Sequence, residues 1–148
     1  MKDLEPKFAN IKRNREAGMS NLLKSAEKFF RNGKTREDKE SLVQAYVTAN
    51  PMARRTWENI NKAYETALLG LVKEAEKELA KYLELGQIIE VDLGDKFGKK
   101  FGRNGLADPD SYWLVGEDGK MTSWNGQDST LTLEEQMEVY NILKEIIY

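Results

Sequence analysis

The chain has 148 residues, of which 40% are hydrophobic and 32% charged, and a formal net charge of −2. This length and balance imply one soluble domain without a disorder-like composition, and no apolar run approaches the length of a membrane span. Cysteine and histidine are both absent, which excludes disulfides, thiol nucleophiles, thiolate metal sites, a Ser-His-Asp triad and the usual ligand of zinc, copper or iron.

The opening residues lack the apolar core of a secretion signal, so a cytoplasmic location is expected. Leu4, Phe8, Ile11, Met19, Leu22, Ala26 and Phe29 recur at helical spacing. They predict an amphipathic helix over about 3–32, bent or interrupted at Gly18 and stopped by Gly33. Thr35 to Asp38 resembles a capping box for a second helix over about 36–49. Asn50 then caps, and Pro51 opens, a third helix. Its stripe is Trp57, Ile60, Tyr64, Leu68, Leu71, Ala75, Leu79 and Tyr82, with Trp57 and Ile60 expected in the core. It runs to Gly86, about 50 Å in all, with Gly70 a candidate kink.

The period changes at Gln87, where a β-branched run to Leu93 reads as a strand. "YWLV" at 112–115 and "KMTSW" at 120–124 flank a glycine-bounded turn and read as a β-hairpin. Thr132 with Glu135 makes a capping box for a final helix carrying Leu133, Met137, Tyr140, Leu143 and Ile147. Three helices, about three antiparallel strands and one more helix give an α+β fold. The expected organisation is a single domain with a helical part at 1–86 and a sheet covered by the last helix at 87–148.

Charge is unevenly placed. Residues 1–36 hold ten basic and four acidic side chains, whereas 104–148 hold two basic and nine acidic. Lys12, Arg13 and Arg15 on the first helix belong to the basic end. So does "GDKFGKKFGRNG", residues 94–105, with Lys96, Lys99, Lys100 and Arg103. This stretch is not a P-loop, since Gly94 to Gly98 is one residue short and Lys99 is followed by Lys100 rather than Ser or Thr. It fits no dinucleotide fingerprint either. A generic reading remains, in which glycines permit close approach, the basic residues meet phosphates, and Phe97 and Phe101 stack on bases. The competing reading is a mobile connection whose phenylalanines pack inward, so that neutralising its four basic residues leaves the melting temperature unchanged.

"DPDSYWLVGEDG" begins like a calcium loop but places Trp113 and Gly119 where glycine and glutamate are required. No metal, cofactor or catalytic residue is assigned. Arg54 and Arg55 lie in a first helical turn, where positive charge is mildly unfavourable. They call for acidic neighbours, with Glu37, Asp38 and Glu40 as candidates. On the hairpin, Tyr112, Trp113 and Trp124 form either a second packed layer or an aromatic interface patch.

The leading expectation is a non-enzymatic protein that acts by protein–protein contact, as an assembly component or an inhibitor of a larger machine. Short chains of this composition are frequent among phage and mobile-element accessory proteins. The alternative is nucleic-acid binding through the first helix and residues 94–105. A second copy of the chain is a third kind of partner, and a membrane is not expected.

Overall fold

Local signals set most of the element boundaries in this computed structural model, which describes residues 1–30, 39–116, 118–125 and 129–147. The helices are α1 (Glu5–Phe29), α2 (Lys39–Ala49), α3 (Pro51–Tyr82) and α4 (Leu133–Ile146). The strands are β1 (Ile88–Glu90), β2 (Lys100–Arg103), β3 (Tyr112–Val115) and β4 (Met121–Trp124). They form one antiparallel sheet in the order β1-β2-β3-β4. The class is α+β, with one strand more than the sequence suggested, because β2 lies inside the glycine-rich stretch. Among the described residues, no helix is long and apolar enough to cross a membrane.

The chain packs as two compact units, Ala9–Ala67 and Met1–Phe8 with Leu68–Tyr148. The division falls within α1 and α3 rather than in a loop.

In the helical unit, Asn50 Oδ1 accepts from the backbone N–H groups of Met52 (3.0 Å) and Ala53 (3.3 Å) and so caps α3 as expected. Leu22, Val47 and Ala53 form a small buried cluster, with Met19, Val43, Tyr46 and Trp57 packed around it and only partly buried. α1 is not interrupted at Gly18. The missing side chain there makes room for Ile60, which an added Cβ would approach to 3.1 Å. Trp57 and Ile60, expected in the core, are half-buried. Arg54 finds its acid one turn ahead, at Glu58 (3.5 Å), rather than at Glu40. The predicted stop at Gly33, the cap at Thr35–Asp38 and the proposed partners Glu37 and Asp38 lie outside the described residues.

In the sheet unit, strand alternation separates the side chains as the period predicts. Phe101, Tyr112, Leu114 and Trp124 have no exposed surface, while Trp113 and Val115 on the opposite face are half-buried. The Phe101 and Tyr112 rings stack with centroids 5.4 Å apart, and Trp124 lies 6.0 Å and 5.7 Å from them. Tyr112 Oη donates to the Glu76 carbonyl and Trp124 Nε1 to the Glu76 carboxylate, both at 3.1 Å, which fixes this face on α3. Burial pushes the Tyr112 phenol up to about 12. On α3, Leu68, Leu71, Val72, Ala75 and Leu79 are buried, as is Leu83 just beyond its end. Tyr82, placed in that stripe by the sequence, is instead 42% exposed. α3 stays helical through Gly70, so no interruption occurs there.

Chain ends are tied down by polar contacts. Tyr140 Oη donates to the Lys2 carbonyl, and Lys144 pairs with Asp3 at 3.0 Å. Lys2 and Lys7 both reach Glu74, at 2.8 and 2.9 Å. The predicted capping box of α4 is complete: Thr132 N–H donates to Glu135 Oε1 (3.0 Å), and Glu135 N–H to Thr132 Oγ1 (3.1 Å).

Glu135 is held below the ordinary glutamate value of 4.5, chiefly by the Thr132 N–H and secondarily by Lys96. A carboxylate lowered on folding stabilises the protein above its unfolded pKa, and that contribution is lost as pH falls through the folded value. Glu135→Gln is therefore expected to cost about 0.3–1 kcal/mol at neutral pH. The gap to wild type should close as pH falls below about 4, as read from urea midpoints at several pH values.

Candidate functional site

The glycine-rich stretch is a folded β1–β2 connection. Asp92 Oδ1 accepts from Gly94 N–H (3.0 Å), Gly98 N–H donates to Gly94 O (2.8 Å), and Leu93 N–H donates to Gly98 O (2.9 Å). Gly94 and Gly98 both adopt positive φ, 87° and 91°. The repeated KFG unit has a packing cause. Each phenylalanine, Phe97 and Phe101, is buried. Each following glycine admits a β3 residue: a Cβ on Gly98 would lie 1.9 Å from Val115 O, and one on Gly102 would lie 2.2 Å from the Trp113 ring. Neither phenylalanine offers a face to a base.

Arg103 and Lys96 make structural contacts. Arg103 donates to the carbonyls of Leu83 (2.7 Å), Ala80 (3.4 Å) and Pro109 (2.9 Å), and so closes the C-terminal end of α3. Lys96 lies 3.2 Å from Glu135 and 3.9 Å from Glu138, over the Phe97 ring. Lys99 and Lys100 are exposed. Lys12, Arg13 and Arg15 are exposed on α1 in the helical unit, a different unit from residues 94–105, and Arg15 lies 4.7 Å above the Tyr64 ring.

Of the predicted aromatic patch, Tyr112 and Trp124 are fully buried and anchored to Glu76. They are the packed layer, and only Trp113 retains surface. It rests across Gly102 on the outer sheet face, which also carries Ile88, Lys100, Val115 and Met121. Among the described residues, no group of three or more acidic side chains is gathered as a metal site.

The helical unit holds a feature that sequence reasoning missed. An open groove of about 490 Å³ lies between α1, α2 and α3. Met19, Leu23, Val43 and Trp57 give it an apolar floor. Arg15, Glu16, Lys39 and Glu40 supply charges of both signs around it. Ser20 and Gln44 line it from exposed positions. The helical stripes include Met19 and Trp57 but do not announce their exposure. Periodicity shows which side of a helix is apolar; it does not show how many neighbours cover that side.

Compared with protein-family models, curated proteins and solved structures, the chain matches none.

Two stability contrasts check this description. Gly98→Ala should destabilise by about 1–3 kcal/mol or more, through the positive φ and the collision with Val115 O. Gly105→Ala, which meets nothing within 4 Å, should be nearly neutral in the same urea titration. Arg103→Gln should cost about 1.5–3 kcal/mol by uncovering carbonyls at the end of α3. The pair Lys99→Gln with Lys100→Gln should leave the melting temperature within a degree or so. Neutralising all four basic residues is thus expected to lower stability, contrary to the mobile-loop reading, with Arg103 as the cause.

Proposed function

We propose that this protein is a non-enzymatic binding module whose helical unit receives an amphipathic helix of a partner protein in the groove between α1, α2 and α3. The observation that carries the reading is a half-buried tryptophan, Trp57, on an apolar floor inside a rim of both charge signs. This is the composition of an interface centre, with an aromatic anchor, an apolar surround and a polar edge. A helix matches a groove bounded by three helices. Its apolar positions at i, i+3, i+4 and i+7 would cover Trp57, Met19 and Val43, and its flanking charges would meet Arg15 and Glu16 on α1 and Lys39 and Glu40 on α2. A partner of this kind suits an assembly component or an inhibitor.

The nucleic-acid alternative is weakened by the burial of Phe97 and Phe101 and by the structural use of Arg103 and Lys96. It retains Lys99, Lys100 and the exposed cations of α1.

The test is affinity capture with three forms of the full chain, with and without nuclease and at two salt concentrations. Ser20→Arg fills the groove from an exposed position and should leave the melting temperature unchanged. The reading expects a partner held by wild type and by the Lys99→Gln/Lys100→Gln pair, resistant to nuclease, and lost with Ser20→Arg. Capture that survives Ser20→Arg, or that disappears with nuclease or modest salt, overturns it.

A further inference from the structure

The two edges of the sheet differ. β4 is covered along its outer side: Ser123 N–H donates to Thr130 Oγ1 (2.8 Å), Leu131 N–H donates to Ser123 O (3.5 Å), and Asn125 N–H donates to Ser129 Oγ. β1 has no such cover. Its bonds to β2 run through Gln87, whose carbonyl accepts from Arg103 N–H (2.9 Å), and Val91, whose N–H donates to Lys99 O (2.9 Å). Antiparallel ladders alternate. With Gln87 and Val91 bonded inward, Ile89 is bonded inward too, and the N–H and C=O groups of Ile88 and Glu90 point to the open side. Neither residue has a partner there among the described residues. Ile88 is also 57% exposed. β1 is short and carries one charge, Glu90, both of which blunt an open edge, but no lysine or proline lies in it.

We infer that β1 is the pairing edge of a symmetric dimer, with β1 of a second copy adding antiparallel about a two-fold axis at Ile89. The occupant is a second copy because this edge is complementary to itself. Ile88 and Glu90 sit symmetrically about Ile89, so each two-fold pair of Ile88 with the copy's Glu90 can exchange both backbone bonds. In this register Ile89 meets its own equivalent, a non-hydrogen-bonded pair at close approach on one face. Val91 meets Gln87, and Asp92 meets Gly86, so no carboxylate opposes a carboxylate across the axis. The neighbouring register, centred on Glu90, would set two glutamates against each other. Pairing in the Ile89 register joins the two sheets into one antiparallel sheet and covers the exposed Ile88. The inference rests on the sheet edge and is independent of the groove in the helical unit.

Sedimentation velocity of the full chain across the micromolar range tests it, with far-UV circular dichroism as the folding control. Wild type should show a concentration-dependent monomer–dimer equilibrium. Ile88→Pro removes only an outward-pointing N–H, and proline is tolerated at such edge positions; it should raise the dissociation constant at least about tenfold with the spectrum unchanged. Ile88→Glu, opposite the copy's Glu90, should do the same, whereas Ile88→Lys, opposite that same carboxylate, should keep the dimer. A wild type that remains monomeric overturns the proposal. So does a dimer that survives both Ile88→Pro and Ile88→Glu, or one that Ile88→Lys disrupts as strongly as Ile88→Glu.

Discussion

Glu76 fixes the arrangement of the sheet unit. Its backbone carbonyl takes a hydrogen bond from Tyr112 and its carboxylate takes one from Trp124. Two large aromatic side chains from adjacent strands can thereby be buried completely without leaving a phenol or indole donor unsatisfied. An unpaired buried donor would cost about 1–3 kcal/mol. Each ring also contributes a large apolar area beside Phe101, in a cluster with offset and tilted contacts. Because Glu76 is a mid-helix residue of α3, these bonds set the height of the hairpin along that helix. The register of β3 with β4 then follows from pairing Tyr112 with Trp124.

A second constraint follows from the first. With the inner face filled by aromatic rings, β2 must lie close to β3, and its sequence must have no side chain where β3 intrudes. Gly98 and Gly102 meet that need, one beneath the Val115 carbonyl and the other beneath the Trp113 ring. The KFG repeat therefore combines a core residue with a gap at four-residue spacing. Gly98 also takes the positive φ that its turn requires, which a residue with a Cβ adopts only at a cost of about 1–3 kcal/mol. What looks from the sequence like a phosphate cradle is explained by packing.

Much of the fold was legible because its signals are local. Asn50-Pro51, the Thr132/Glu135 capping box and the alternation of "YWLV" each involve residues within a few positions of one another. β2 was not legible: "KFGR" has a glycine and two cations, and it is a strand because β1 and β3 lie on either side of it. Tyr82 went wrong for a related reason. The stripe was extended one step too far: α3 ends at Tyr82, and Leu83, the next residue, took the buried place. For the candidate site, strand period separated Trp113 from Tyr112 correctly, but which face would be covered depended on Glu76, 36 residues away in sequence. Arg103 is similar: nothing near it announces that its acceptors are the carbonyls of Ala80 and Leu83.

The helical unit is balanced differently. Its described core has Leu22, Val47 and Ala53 at the centre, while Met19, Val43, Tyr46 and Trp57 are only partly withdrawn from water. Small three-helix units stand near the limit at which a single apolar core offsets chain entropy. Fully burying a large apolar side chain is worth about 1.5–3 kcal/mol, so several half-buried ones leave a few kcal/mol unrealised in the free protein. A sequence selected for stability alone could recover part of this with polar residues on the exposed sides of the stripe or with bulkier ones beneath it. Under the proposed function, a tryptophan at the base of an open groove leaves that free energy to a partner that covers it. The sheet unit shows the contrast, since its tryptophans either have their donor bonded in the core or lie flat on a glycine.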